Sequence, residues 1–351
     1  MKALRLYQIP FSHFCDKARW ALDFYSVPFE SVTYVGPQTP GLKRAPRTLQ
    51  KLTPIIEDPN NEDLFISDST PILLYLDEHY GREKTLFPAK SSTEKDAIVQ
   101  YCLKLDSQLG LYARRLAYLH VISEKPAILS VFIDRNFEKK SCDDWRSYFN
   151  GLFGASVVIG RFGIHRIREE QILEKTVAVL DEINEDLRGK DYLFNDQFTA
   201  ADLTLSSLIR PLKTVNALFV QYKSIFDYAD RIRERHDPKK YEETFAERFY
   251  YDAVRRHKSP SLITMFISKI FFMLFYPLKI LIEISERTKP SYQYPSANPA
   301  EKANNDNQII KINSIVNSTW FFIKNIYHLY FSLPGQMNFI NNESKKILHK
   351  Q

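Results

Sequence analysis

The strongest constraint on this chain is a strand, a tight turn and a helix close to its first residue. Leu4–Ile9 is a short apolar stretch that predicts a strand, and Lys17–Tyr25 carries apolar residues at helical spacing. Ser12 therefore falls in the turn that joins the strand to the helix. The first turn of a helix offers unpaired N–H groups and the positive end of the helix dipole, so this position favours an anion such as a thiolate.

Two later segments have local patterns of the same kind. Thr53 and Pro54 open a short apolar stretch that predicts a strand. Further on, Asp68 and Ser69 stand directly before a predicted helix over Thr70–Tyr80. We expect Ser69 to cap this helix, whose free N–H groups suit a carboxylate.

The order of these segments resembles the N-terminal, thioredoxin-like domain of the soluble glutathione transferases. The resemblance implies a cis peptide bond before Pro54 and a Thr53 backbone that pairs with glutathione as an extended peptide. It further implies that Asp68 and Ser69 hold the γ-glutamyl end of glutathione. Ser12 stands where serine-type members place a hydroxyl that donates to the glutathione sulfur. A helix N-cap without a catalytic part is the alternative for Ser12, and both roles are compatible.

Cys15 completes a Ser-x-x-Cys motif where thioredoxins and glutaredoxins carry two cysteines. A single cysteine cannot form an internal disulfide, which argues against a dithiol oxidoreductase. Cys15 remains a catalytic candidate beside Ser12, because one thiol suffices for a mixed disulfide with glutathione. The alternative is a thiol that packs inside the helix, as is usual in serine-type members with this spacing.

The resemblance continues beyond the first domain. Asp191–Asp202 is similar to the segment that enters a buried helix in the all-helical second domain of these transferases. Within it, Thr199 as N-cap and Asp202 three residues later predict a capping box whose role is in folding. Before it, Glu169–Arg188 is apolar at helical spacing and ends at Gly189. Asp252–His257 is similar to the closing helix of bacterial members.

We therefore predict an α/β plus all-α fold. A thioredoxin-like, glutathione-binding domain would occupy residues 1–88 and an all-helical substrate domain residues 89–258. A hydrophobic, basic C-terminal extension would occupy residues 259–351. A long helix over Glu94–Leu119 would begin the second domain.

Weaker candidates come from single residues. A cation of the basic loop could pair with the glycyl carboxylate of glutathione, although a solvated loop explains that loop as well. His13, beside Ser12, is expected to be a solvated or N-terminal helix residue rather than a general base. The resemblance implies that the second domain lines the pocket for the electrophile. The cations of the basic loop are Lys43, Arg44 and Arg47. The candidates for the electrophile pocket lie on one helix and are Tyr112, Arg115 and Tyr118. A packed helix face is the alternative explanation for these three.

Composition limits the class of protein. The 351 residues include only three cysteines, without paired spacing, so we expect no disulfide framework, no metal site and a reducing, cytoplasmic compartment. We also expect no signal peptide. Residues 258–351 hold 11 Lys and Arg against 5 Asp and Glu, so the whole net charge of +6 falls there. This basic excess lies on hydrophobic segments without a recognisable nucleic-acid-binding module, so no nucleic-acid partner is expected.

The extension departs from the family. Ser261–Ile282 has the length of a membrane span, but it contains Lys269, Lys279 and Pro277. A helix that lies in a membrane interface, with its lysines at the headgroups, fits this pattern better than a spanning helix. The alternative is a helix packed on the body or on a partner subunit. A flexible linker and a second aromatic segment, Trp320–Phe331, follow.

The function implied by the resemblance is a glutathione transferase of the detoxification type. Glutathione would be the co-substrate, either conjugated to a small hydrophobic electrophile or exchanged on thiols. A homodimer is expected from the resemblance alone. The pattern of the extension, and not the resemblance, suggests membrane contact. The alternative is a non-catalytic, membrane-associated adaptor that keeps the fold and has weakened glutathione binding.

Overall fold

The computed structural model describes residues 2–34, 39–51, 53–124, 166–194 and 196–239. The predicted extension over residues 259–351, the helix predicted at Asp252–His257 and Cys142 lie outside these residues. Among the described residues, no helix combines the length and the apolar character that crossing a bilayer requires.

The first domain is built on a four-stranded mixed sheet. Its strands are β1 (Leu4–Gln8), β2 (Phe29–Thr33), β3 (Ile55–Asp58) and β4 (Leu64–Ser67), in the order β2-β1-β3-β4. β2 runs parallel to β1, whereas β3 is antiparallel to both β1 and β4. β2 and β4 are therefore the two edge strands.

Two helices cover one face of this sheet. Helix α1 (His13–Phe24) links β1 to β2, and helix α2 (Ser69–Tyr80) follows β4. Successive strand residues point to opposite faces, so Leu6 joins the main core on the helix side while Tyr7 joins a smaller cluster on the other side. The strand, helix and strand order makes this a thioredoxin-like domain, as predicted.

The second domain is helical. Its first elements are α3 (Ser92–Leu105), the π-helical segment Asp106–Gly110, α4 (Leu111–Glu124) and α5 (Arg166–Asp186). They are followed by α6 (Ala200–Leu208), α7 (Asn216–Gln221) and α8 (Lys223–His236). The single helix predicted over Glu94–Leu119 is therefore interrupted by a π-helical turn, which apolar spacing alone does not reveal.

Helix α6 lies at the centre of this domain, and all of its residues are buried. The predicted capping box at its start is confirmed, because Asp202 accepts the Thr199 N–H at 2.7 Å and the Thr199 hydroxyl caps the helix. Asp202 also accepts the N–H of Leu193 at 2.8 Å and the hydroxyl of Tyr228. Burial raises the pKa of Asp202, while these donors oppose the rise.

The two domains share one continuous core. Residues of α1 and α2, such as Trp20 and Leu73, belong to the same buried cluster as Leu203 of α6 and Ile225 of α8. The sequence also predicts that the helix before Gly189 ends at that residue. Gly189 has a φ of 71° just beyond the end of α5, which confirms this end of the helix. The fold class predicted from sequence is thereby confirmed for the described residues.

Candidate active site

Three chain segments meet at one end of the sheet. The N-terminal turn of α1, the Thr53–Pro54 segment before β3 and the N-terminal turn of α2 come together there. The Cys15 Sγ lies 3.4 Å from the Thr53 Oγ1, and the Asp68 N–H donates to the Pro54 carbonyl at 3.1 Å. The segments that sequence reasoning selected independently are therefore neighbours in space.

Ser12 is the N-cap of α1. Its φ of −73° and ψ of 125° are extended, and its Oγ accepts the Cys15 N–H at 3.4 Å. The side chain is only partly buried. Accepting this hydrogen bond does not use the hydroxyl proton, so Ser12 can cap the helix and still donate to an anion in front of it. The cap role is observed, and the catalytic role stays a prediction.

Cys15 lies behind Ser12 in the first turn of α1. Its side chain is fully buried, and its Sγ accepts the Ile9 N–H at 3.4 Å in addition to the contact with Thr53. The thiol thus sits between α1, the end of β1 and Thr53. With its side chain fully covered by the residues that the structure describes, its geometry suits packing better than attack on a disulfide.

The Thr53–Pro54 peptide bond is cis, as the resemblance implied. Pro54 is buried, whereas Thr53 is partly exposed. Within the described part of the chain, neither the N–H nor the C=O of Thr53 is hydrogen-bonded. The backbone of Thr53 is therefore available to an extended ligand beside the two helix ends.

The start of α2 differs in one detail from the prediction. Asp68, not Ser69, is the N-cap, with a φ of 73° and a carboxylate oxygen that accepts the Ser69 N–H at 2.8 Å. The carboxylate is the stronger acceptor and stands one residue earlier, which moves Ser69 into the helix. Ser69 is fully buried, and its Oγ has no hydrogen-bond partner among the described residues. A buried hydroxyl without a partner is costly unless a ligand or water satisfies it.

The basic loop divides into two groups. Arg44 is committed to the opposite face of the sheet, where it pairs with the buried Glu57 and lies 3.5 Å from Asp63. Glu57 also accepts the Tyr7 hydroxyl at 2.6 Å, and burial together with this bond raises the pKa of Tyr7 to about 12. Lys43 and Arg47 are exposed and remain candidates for a ligand carboxylate.

His13 is expected from sequence to be a solvated or N-terminal helix residue. It is the first residue of α1, as the second of these expectations has it, and its side chain is buried rather than solvated. Its Nε2 lies 2.8 Å from the Gly110 carbonyl of the helical domain. Burial lowers the pKa of His13 to about 3, so the ring is neutral at physiological pH. Because the carbonyl can only accept, Nε2 carries the proton and cannot act as a base.

A buried polar triangle also lies close to the site and was missed from sequence. Lys17 of α1 donates to Asp106 at 2.9 Å and to the Thr70 hydroxyl at 2.6 Å, and Thr70 donates to Asp106 at 2.6 Å. A lysine in an apolar helix pattern signals exposure, and only the position of Asp106, 89 residues further on, explains its burial.

The pocket candidates on α4 differ in burial. Arg115 is fully buried and Tyr112 is 8% exposed, which favours a packed helix face, whereas Tyr118 is partly exposed. In the described ranges, no group of three His, Cys, Asp or Glu side chains could hold a metal ion.

A family model and several solved structures are similar to this chain. The family model described as "Glutathione S-transferase, N-terminal domain" matches residues 6–84. Among solved structures, a Bombyx mori protein titled glutathione S-transferase unclassified 2 is 17% identical, with a TM-score of 0.48, and the match covers 74% of this chain and 100% of that one. A glutathione S-transferase from Xanthobacter autotrophicus is 16% identical, with a TM-score of 0.46, over 70% of this chain and 98% of its own.

A third solved structure was determined with a ligand. It is a glutathione S-transferase from Methylobacterium radiotolerans in complex with glutathione sulfonate, 19% identical, with a TM-score of 0.44, and the match covers 74% of this chain and 98% of that one. Identities of this size do not transfer a substrate. The likeness to glutathione S-transferases therefore rests on the segment 6–84, which contains Ser12, Cys15, Thr53, Pro54, Asp68 and Ser69.

Proposed function

We propose that this chain is a serine-type glutathione transferase that conjugates glutathione to a small hydrophobic electrophile. The observation that carries the proposal is the meeting of two helix N-termini, at Ser12 and at Ser69, on either side of a Thr53 backbone with unused hydrogen-bonding groups. Glutathione is an extended peptide with a thiol in its middle and a charged carboxylate at its γ-glutamyl end. Its chemistry matches these three features in order.

The residues fit the tripeptide on chemical grounds. The N-terminus of α2 and the unpartnered Ser69 hydroxyl would hold the γ-glutamyl carboxylate, with Asp68 beside its ammonium group. The N–H and C=O of Thr53 would pair with the cysteinyl backbone. One or both of the exposed cations Lys43 and Arg47 would meet the glycyl carboxylate.

Ser12 would act on the thiol. Its hydroxyl donates a hydrogen bond to the thiolate, which stabilises the anion together with the positive end of α1. The thiol proton passes to solvent, and the thiolate electron pair forms the new bond to the electrophilic carbon while the leaving group departs with its own pair. Cys15 would support the turn from behind, since its side chain is fully buried.

Binding and turnover test the proposal together. Calorimetric titration of the full chain with glutathione should give saturable binding that Asp68→Ala weakens. Turnover of glutathione with dinitrochlorobenzene should be lost in Ser12→Ala and kept in Cys15→Ala. Absence of binding at millimolar glutathione would overturn the enzyme proposal and favour the adaptor alternative. The homodimer and the membrane contact stay predictions.

A further inference from the structure

The triangle of Lys17, Thr70 and Asp106 connects three helical segments in a space closed to solvent. The Lys17 ammonium is fully buried and contacts both carboxylate oxygens of Asp106, at 2.9 and 3.0 Å. The Thr70 hydroxyl accepts from Lys17 and donates to Asp106. Each polar group in the triangle thus contacts the other two, which fixes their separations closely.

The triangle lies where the two helices of the candidate site meet the helical domain. Thr70 directly follows Ser69 at the start of α2, and Lys17 lies in the second turn of α1, after Ser12 and Cys15. Asp106 comes from the other domain, at the beginning of the π-helical segment. One carboxylate therefore holds the two helices whose N-termini form the candidate site.

The same π-helical segment contacts α1 a second time at its other end. The Gly110 carbonyl is bound by His13, the residue after Ser12. Gly110 also packs so closely on Phe14 that a Cβ atom there would lie 2.6 Å from the ring. A π-helical turn carries one residue more than an α-helical turn and is frequent at functional sites. Here Asp106 and Gly110, at its two ends, both contact the first domain.

We propose that Asp106, Lys17 and Thr70 are positioning residues that set the distance between the thiolate end and the γ-glutamyl end of the glutathione site. The proposal rests on the proposed function, because it requires a ligand that spans both helices. None of the three residues would touch glutathione. An error of about 1 Å in such a spacing costs up to about 100-fold in rate, so the supporting contacts are a part of the site.

Two peptides separate positioning from general stability. Glutathione would engage both helix N-termini. Cysteinylglycine lacks the γ-glutamyl group, so it would engage Ser12, Thr53 and the cations of the basic loop but not the N-terminus of α2. In Thr70→Val, which removes the hydroxyl but keeps the shape, kcat/KM for glutathione should fall about 10-fold to 100-fold. In the same variant, kcat/KM for cysteinylglycine should stay within about twofold of wild type. Thr70→Ser, which keeps the hydroxyl, should have a ratio of the two kcat/KM values close to that of wild type.

The controls keep the outcomes distinct. Asp230→Asn, which changes an exposed ion pair with Lys213, should leave kcat/KM unchanged for both peptides. If Thr70→Val fails to fold by thermal melting, Thr70→Ala, which also removes the hydroxyl, is measured in its place. An equal loss for both peptides, or no loss for either, overturns the positioning role while leaving the proposed function standing. If the wild-type chain binds no glutathione at all, the proposed function fails, and the positioning role fails with it.

Discussion

Arg233, in the last turn of α8, donates to the carboxylate of Asp16 in α1 across a distance of 2.6 Å. Arg210 reaches the same carboxylate at 3.0 Å and Arg19 lies 3.6 Å from it, so one buried anion meets three guanidinium groups. The Arg233 guanidinium also lies 4.4 Å from the ring centre of Trp20. The start of the chain and the end of the described helical domain are joined at this point.

Asp16→Asn should lower the free energy of unfolding by about 3–5 kcal/mol, because it removes the buried carboxylate that faces three guanidinium groups. Urea denaturation at neutral pH measures this difference. Asp230→Asn is the matched control, since its pair with Lys213 is exposed and contributes little. Similar free energies of unfolding for the two variants would contradict the prediction that the buried Asp16 carboxylate stabilises the fold.

His13 should make the stability of the chain depend on pH. Its pKa is about 3 in the folded protein and 6.5 ordinarily, so below pH 6.5 the unfolded chain binds a proton that the folded chain refuses. Stability therefore falls as the pH drops, by up to about 1.4 kcal/mol per pH unit between these two values. Above pH 6.5 His13 is neutral in both the folded and the unfolded chain, so it no longer makes stability depend on pH.

Urea denaturation at several pH values between 7 and 4 tests this dependence, with His13→Gln as the comparison. The slope of stability against pH should be smaller in the variant. The ring resonances of His13 should also show no titration between pH 7 and 5 in the native wild type. A native His13 that titrates near pH 6.5 would refute its burial.

Ser12 offers a direct separation of capping from catalysis. Ser12→Asp keeps a good N-cap but places a negative charge against the thiolate, whereas Ser12→Thr keeps both the cap and the hydroxyl. We expect Ser12→Asp to retain its melting temperature and lose at least about 100-fold in turnover with glutathione, as for the loss of one anion-stabilising donor. Ser12→Thr should stay close to wild type.

Parallel measurement of melting temperature and kcat/KM in these two variants gives the result. Full turnover in Ser12→Asp would mean that Ser12 is a cap and nothing more. Loss of stability in step with turnover would likewise argue for a purely structural role.

Cys15 should resist modification in the native chain because its thiol is fully buried. Iodoacetamide labelling followed by peptide mass spectrometry should show alkylation of Cys15 only after unfolding in urea. Cys102, which is also buried, serves as an internal comparison. Fast native labelling of Cys15 alone would return the thiol-exchange reaction to consideration.

Local signals account for the parts that were predictable from sequence. The capping box of Thr199 and Asp202, the positive-φ Gly189 and the strand-to-helix turn at Ser12 each depend on a few neighbouring residues. Such features follow from hydrogen-bonding chemistry and backbone freedom, which a sequence displays directly.

The remaining features depend on residues far apart in the chain. The burial of Lys17 needs Asp106, and that of His13 needs the carbonyl of Gly110, in a π-helical turn that apolar spacing does not encode. The cap at Asp68 also has a positive φ of 73°, a backbone conformation that the neighbouring residues of the sequence do not predict. These are tertiary effects, and they concern the residues nearest to the site.

The buried ammonium of Lys17 also has a consequence for how the molecule folds. A segment ending near residue 88 would contain this charge without the carboxylate that neutralises it, since Asp106 belongs to the other domain. The same segment would leave the Asp16 carboxylate without Arg210 and Arg233. The thioredoxin-like half is thus electrostatically incomplete by itself, because these two buried charges are matched only when the helical half packs against it.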